Sequence, residues 1–222
     1  MTKGEVFIGT LSFYRNIENE AIADRNEGKK DIVTIFSEAE TIKNAEDWEN
    51  KLGFLKGSNI NYASGTVKIE RGTEFIGNDS IPDAYIYCAS KFYSEYLRRK
   101  FNADCCIEIF DVQTFLNIIS TKLSELGLIY PTLSSGRDIE YIGHSIKDGN
   151  KISGNWIKDP IKYGDEAELR LTFVPIYRKD GVIIQPTVNQ DKSATFPRDF
   201  DEFVLKPQLI ECKEIIKYCR WR

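Results

Sequence analysis

The stretch Gly164-Asp165-Glu166-Ala167-Glu168-Leu169-Arg170-Leu171-Thr172-Phe173 has the clearest pattern in the chain. Apolar and polar residues alternate along it, and a period of two is typical of a β-strand with one buried face. We therefore predict a strand over residues 166–175, with its polar side chains in one row: Glu166, Glu168, Arg170 and Thr172. Such a row is ordinarily a solvated face. Two carboxylates two residues apart on a strand also occur where enzymes stabilise a sugar cation, so both interpretations stay open.

Composition narrows the class of protein. The chain has 222 residues, a hydrophobic content of 41% and a formal net charge of −4. This length and core content predict a single domain over residues 1–222. The acidic balance argues against a nucleic-acid binder that uses its whole surface, although a local basic patch remains compatible with it. No apolar run approaches the roughly 20 residues that span a bilayer. We expect no membrane association and a cytoplasmic location.

The cysteines and the histidine offer little catalytic or metal-binding chemistry. Five cysteines are present, and they lack the spacing of a metal site. We interpret them as reduced thiols and expect no metal. His144 is the one histidine, so any Cys-His or Ser-His-Asp nucleophile would depend on it.

Strand patterns outnumber helical ones and do not alternate regularly with them, which predicts an α+β fold. The strongest predicted helix begins at the cap residue Asp111, ends at Leu126 and is closed by Gly127. Asp180-Gly181 predicts a hairpin turn between residues 166–175 and 182–185. The other predicted segments are strands at 5–13, 31–36, 66–70, 84–88, 105–110, 139–142 and 151–157, helices at 14–23, 37–52, 91–100 and 207–219, and a turn at 77–83.

One alternative function rests on charged residues near the first predicted loop. Metal-dependent nucleases hold Mg²⁺ through carboxylates and place a lysine near the phosphate. The residues that fit this pattern are Asp24, Glu27 and Asp31 with Lys29 and Lys30. Because they lie in or beside a predicted loop, a solvated charge cluster is the competing interpretation.

Four segments carry a family resemblance when they are taken in order. Residues 7–18 and 24–28 contain Gly-Thr-Leu-Ser-Phe-Tyr-Arg, and residues 84–90 end a strand in Cys-Ala-Ser. The third segment is 106–109. The fourth, residues 157–170, contains Tyr163 and the Glu-x-Glu-x-Arg run. Together they resemble a group of uncharacterised bacterial domains, often encoded near toxin and anti-phage genes, that look like distant ADP-ribosyltransferases.

This resemblance implies a split antiparallel or mixed sheet with flanking helices, NAD as substrate and no metal. It implies that Arg15 contacts the nicotinamide-side ribose and phosphates, that Ser90 shapes the nicotinamide pocket, and that Glu168 holds the ribose. Glu166 is then the acid that activates the acceptor. Tyr14, Tyr87 and Tyr163 are the candidates for stacking on nicotinamide, and Arg170 is a further nucleotide contact. Many transferases have His or Arg directly before Gly-Thr, where this chain has Ile8.

The residue types suit that chemistry. Cleaving the nicotinamide–ribose bond builds oxocarbenium character, which a fixed carboxylate stabilises. Arginine binds pyrophosphate oxygens through its planar fork. We expect a nucleic acid or a protein as acceptor, and a phage or host protein as partner. The alternative from another class is a non-catalytic module that binds a nucleotide or a protein.

Overall fold

An antiparallel sheet of five strands forms the centre of the fold. The computed structural model of the protein describes residues 4–17, 23–52, 64–142, 145–147, 156–188, 194–195 and 204–221. The sheet contains, from one edge to the other, β17 (Gln208–Glu211), β1 (Glu5–Thr10), β6 (Tyr85–Ser90), β12 (Glu168–Phe173) and β8 (Ser135–Asp138). Every neighbouring pair is antiparallel.

Smaller sheets surround this centre. A three-stranded sheet has β2 (Lys29–Ile35) between the parallel β10 (Ser145–Lys147) and the antiparallel β5 (Glu74–Ser80). The remaining described strands form pairs, namely β3 (Glu40–Ile42) with β4 (Val67–Ile69), β7 (Ile107–Ile109) with β18 (Cys219–Trp221), β9 (Glu140–Tyr141) with β11 (Ile157–Lys158), β13 (Tyr177–Lys179) with β14 (Val182–Ile184), and β15 (Thr187–Val188) with β16 (Ala194–Thr195).

The helices are few and mostly short. They are α1 (Leu11–Asn16), α2 (Ala45–Leu52), α3 (Glu95–Lys100), α4 (Val112–Glu125) and α5 (Pro160–Tyr163), with 3₁₀ segments at Pro131–Leu133, Gly164–Glu166 and Lys213–Tyr218. The predicted α+β class is confirmed, since antiparallel sheets and few helices make up the described residues. Among these helices, none is both long and apolar enough to span a membrane.

Helix α4 packs on one face of the central sheet, and it agrees closely with its prediction. The Asp111 carboxylate accepts hydrogen bonds from the Thr114 backbone N–H and hydroxyl, which caps the first turn. Its apolar residues keep a spacing of three and four, so they form one stripe. That stripe and the facing side chains of the sheet make the main core: Phe115, Leu116, Ile119 and Leu123 against Val6, Ile8, Tyr85, Leu171, Phe173 and Ile210.

Three predicted segments are wrong in type. Residues 207–219, predicted as a helix, contain β17 and a 3₁₀ segment, because edge pairing with β1 overrides the local helical pattern. The predicted helix at 37–52 contains β3 before α2 begins at Ala45. The predicted turn at 77–83 overlaps β5, which pairs with β2 along seven residues.

The hairpin prediction is right at the turn and wrong in one strand. Asp180 and Gly181 have positive φ angles of 52° and 80°, as a two-residue hairpin turn requires. The strand that pairs with β14 is β13, however, and not the strand ending near Pro175. The predictions for residues 18–22, 151–155 and His144 lie outside the described residues.

Candidate functional site

The Glu-x-Glu-x-Arg run does not continue as a regular strand through both glutamates. Gly164–Glu166 forms a 3₁₀ turn, Ala167 adopts a left-handed conformation with φ of 43°, and β12 begins at Glu168. The strand predicted from residue 166 therefore starts two residues later. This turn brings Glu166 and Glu168 to the same lysine, Lys158.

The polar face of β12 is buried, so its interpretation as a solvated face is wrong. Arg170 is 0% exposed, Glu168 4% and Thr172 5%. In β6 their register partners are Cys88, Ser90 and Ile86. Helix α1 covers this face, since Leu11 and Tyr14 pack with Ile86 and Cys88.

Arg170 joins two carboxylates on this face, one two residues away on β12 and one distant in the chain. Its Nη1 and Nη2 atoms bind the two oxygens of Glu27, with Nη2 to Oε2 at 3.1 Å, and its Nε donates to Glu168 Oε1 at 2.7 Å. Glu27 is itself 2% exposed and lies in the turn before β2. A fork-shaped guanidinium suits this pairing because it has donors for both carboxylates at once.

Lys158, on β11, extends the network to Glu166. Its Nζ lies 2.7 Å from Glu168 Oε2 and 3.0 Å from Glu166 Oε2. At the outer end, Lys100 Nζ binds Glu166 Oε1 at 2.9 Å. We call these six side chains the ionic cluster: Glu27, Lys100, Lys158, Glu166, Glu168 and Arg170.

The ionic cluster combines three carboxylates with three cations, so its formal charges cancel. Burial by itself raises the pKa of Glu168, but Arg170 and Lys158 outweigh burial and lower that pKa to about 2. Glu168 is thus held ionised. Burial raises the pKa of Glu27, against the opposing effect of Arg170. Burial lowers the pKa of Lys158, but Glu168 and Glu27 raise it well above its ordinary value.

Three tyrosines surround the ionic cluster. Lys158 Nζ lies 4.7 Å from the centroid of the Tyr163 ring, and the Tyr163 hydroxyl donates to the Ala23 carbonyl at 2.7 Å. The Tyr141 hydroxyl accepts the backbone N–H of Glu168 at 2.6 Å. The Tyr14 ring lies directly over Gly9, where any Cβ would overlap it. Burial raises the pKa of Tyr14 and that of Tyr163, which keeps both phenols neutral.

Ser90 lies at the rim of the cluster. It is the register partner of Glu168. Its hydroxyl oxygen lies 2.7 Å from the Glu166 carbonyl oxygen and 3.0 Å from that of Phe92, and its single hydrogen points to the nearer Glu166 carbonyl or is shared between the two. It does not cap the next helix, because α3 begins at Glu95 and Ser94 is its cap. Ser90 therefore holds the turn that carries Glu166.

Two of the predicted site residues are not brought to the cluster. Arg15 lies on α1, and its Nε donates to the Leu11 carbonyl at 3.3 Å; it makes none of the cluster's ion pairs. Tyr87 lies on the opposite face of the sheet, where its ring is 5.1 Å from that of Phe115. The other candidates, Tyr14, Ser90, Tyr163, Glu166, Glu168 and Arg170, share one region.

The residues of the nuclease alternative are not arranged as an open loop cluster. Asp24 and Glu27 are 3% and 2% exposed, and both Glu27 oxygens bind Arg170. Asp31 and Lys29 lie on β2. Within the described ranges, no group of three or more His, Cys, Asp and Glu residues is placed to hold a metal ion. The side chain of Lys30 lies outside the described part of the chain.

Two buried oxygen atoms near the cluster have no hydrogen-bond partner in the described structure, Asp24 Oδ2 and Thr172 Oγ1. Thr172 faces the same side of β12 as Arg170, two residues away. Asp24 precedes Glu27 in the same turn, and its other oxygen accepts the Asn26 N–H at 3.0 Å. A buried acceptor without a donor is costly, at about 1–3 kcal/mol.

The partners that make the carboxylates a cluster were not predicted from the sequence. Neither Lys158 nor Lys100 was a candidate residue, and Glu27 was predicted for the nuclease site instead. Lys158 lies in the segment 157–170 that carries the resemblance, and its place there was the available signal. No family model matches the chain, and neither does any curated protein or any solved structure.

Proposed function

We propose that the protein cleaves NAD and transfers ADP-ribose to a nucleic acid, a protein or water, as part of a toxin or anti-phage system. The observation that carries the proposal is Glu168. Its carboxylate is 4% exposed, and Arg170 and Lys158, each 2.7 Å away, hold it ionised in the closed cluster. A fixed negative charge in a buried place is what a developing ribosyl cation requires.

The proposed reaction breaks the bond between C1′ of the ribose and the nicotinamide nitrogen. The bonding electrons leave with nicotinamide, which becomes neutral, and Glu168 stabilises the positive charge on the ribose. An acceptor oxygen or nitrogen then bonds to C1′ and gives its proton to Glu166. Antiparallel strands β6 and β12, which set Ser90 opposite Glu168, are compatible with an ADP-ribosyltransferase-like sheet.

Access to Glu168 requires an exchange of ionic partners. Both oxygens of Glu168 bind cations in the closed cluster, at 2.7 Å from Arg170 Nε and 2.7 Å from Lys158 Nζ. A pyrophosphate competes with carboxylates for the same cations. Exchange would begin at Lys100, whose side chain is 18% exposed, whereas that of Arg170 is 0% exposed. NAD would then release the carboxylates as it binds.

A second candidate is the non-catalytic module that binds a nucleotide or a protein. The closure of the cluster favours it, because Arg170 is fully buried and Glu168 already has two cationic partners. In this case the cluster holds β12, β11 and the turn before β2 together, and ligand binding uses the surface around it.

Nicotinamide release from labelled NAD, measured with and without cell lysate, tests the first candidate. Glu168→Gln should lower the rate by on the order of 100-fold or more. Glu140→Gln is the matched control, since Glu140 pairs with Arg137 on the surface, with 38% of its side chain exposed. Circular dichroism confirms that each variant is folded. An active Glu168→Gln variant would remove Glu168 from the site.

Calorimetric titration of NAD separates the two candidates. Binding of NAD without nicotinamide release supports the non-catalytic module. If NAD is neither bound nor cleaved, both candidates are rejected for this nucleotide. Arg15→Ala should weaken NAD binding if the role implied by the resemblance holds, and equal affinity would discard that role.

EDTA should not change NAD consumption. EDTA-sensitive cleavage of nucleic acid without NAD turnover would instead support the nuclease alternative.

A further inference from the structure

Residues 91–100 form an aromatic and basic segment beside the ionic cluster. Three of its rings are exposed, with Phe92 at 60%, Tyr93 at 49% and Tyr96 at 56%. The segment contains four basic residues and one acidic residue, although the whole chain has a net charge of −4. Three of these basic side chains already form ion pairs, Lys91 with Asp138, Arg98 with Glu95 and Lys100 with Glu166. The segment therefore offers a ligand its exposed rings together with the exposed Arg99.

The segment is anchored directly to the turn that carries Glu166 and Glu168. The Lys91 backbone N–H donates to the Ala167 carbonyl at 3.0 Å. At the other end, Lys100 binds Glu166. Residues three and four apart share a face of a helix, so Tyr96, Arg99 and Lys100 lie on one side of α3, while Leu97 is buried. The ring of Tyr96 and the charge of Arg99 are thus on the face that contains the contact to the cluster.

We infer that this segment binds single-stranded nucleic acid and presents it to the cluster as the acceptor of ADP-ribose. Single strands are bound by a combination of exposed aromatic rings, on which bases stack, and basic residues, which contact phosphates. A protein acceptor with an acidic surface would use the charges without needing three exposed rings. The acceptor role rests on the proposed function, whereas binding of the strand does not.

The binding test uses the full chain without NAD. Fluorescence anisotropy follows a labelled single strand of roughly 12 nucleotides, with a duplex of equal length for comparison. Phe92→Ala and Tyr96→Ala should each raise Kd on the order of tenfold. Phe110→Ala is the matched control, because that ring is 57% exposed and lies outside the segment. No binding at low salt, or equal effects of all three variants, would overturn the inference.

Arg99 tests the electrostatic part. Arg99→Gln should reduce the slope of log K against log salt by about 0.7, as expected for one lost phosphate contact to a single strand. Arg71→Gln, at an exposed position in the turn before β5, should leave the slope unchanged. An unchanged slope for Arg99→Gln would contradict phosphate binding at α3.

The acceptor role is tested by adding labelled NAD. The role is supported if labelled ADP-ribose appears on the oligonucleotide. In Phe92→Ala and Tyr96→Ala this labelling should be reduced, while hydrolysis of NAD, with water as the acceptor, continues. Transfer to protein alone would overturn it and leave NAD cleavage intact. If the protein binds the single strand but does not turn over NAD, the proposed function and the acceptor role are both rejected. The binding surface inferred for residues 91–100 would still stand.

Discussion

The two faces of the central sheet are both buried, but they are buried in different ways. One face packs against α4 through mainly apolar, uncharged side chains, such as Phe115 and Leu171. The other face contains Arg170 and Glu168, which are covered by segments far away in the chain. Glu27 is 143 positions from its partner Arg170. Shape is enough to bury an apolar face, whereas a charged face also needs specific partners.

The largest expected effect comes from breaking the charged face. Arg170→Met should lower the free energy of unfolding by about 4 kcal/mol, because it leaves Glu27 and Glu168 buried without their shared cation. Arg137→Met is the control. Arg137 is the register partner of Arg170 on β8, and its side chain is 49% exposed, so its change should be below about 1 kcal/mol. Urea unfolding measures both, and similar values would refute the comparison.

A slightly smaller effect is expected on the apolar face. Leu123→Ala removes a fully buried side chain of α4 and should cost about 3 kcal/mol through lost burial and a cavity. Leu126→Ala, where the side chain is 60% exposed, should stay within about 0.5 kcal/mol of wild type. Equal costs in thermal unfolding would mean that α4 does not pack as described.

The cover of the charged face depends on close packing of Tyr14 on Gly9. Gly9→Ala should cost about 2 kcal/mol, because the new Cβ overlaps the Tyr14 ring. In a Tyr14→Leu background the same change should cost less, and a double-mutant cycle measures the difference. Gly164→Ala is the control, since nothing lies within 4 Å of the added Cβ. Additive costs would show that the two residues do not touch.

The last expected effect is a change in how stability depends on pH, with no size assigned at neutral pH. The pKa of Glu168 is lowered from 4.5 to about 2, so its ionised form stabilises the fold above pH 4.5, and this contribution is lost as pH falls towards 2. The raised pKa of Glu27 has the opposite effect. Its contribution to the free energy of unfolding is present below pH 4.5 and is lost as the pH rises above that value. Glu168→Gln should therefore flatten the fall in stability between pH 4.5 and 2. Glu140→Gln is the control, and an unflattened slope for Glu168→Gln would contradict the ionised carboxylate.

Strong local signals predicted several elements well. Helix α4 was predictable because a cap, an apolar stripe and a closing glycine agree over residues 111–127. The turn at Asp180-Gly181 was predictable because few residues accept its backbone angles. Residues 207–219 were mispredicted because their helical pattern is weak, and pairing of β17 with β1 decides their structure.

For the candidate site, the sequence by itself determined the residues that carry charge and the alternation that places Arg170 and Glu168 on one face. Alternation is a property of a single strand. It does not predict whether the polar face of that strand is exposed to water or is covered by other elements of the fold. Only the tertiary structure decided this, because Glu27, Lys158 and Lys100 come from separate elements. Burial of an ionic row depends on partners that meet only when those elements fold together, and no local pattern contains that information.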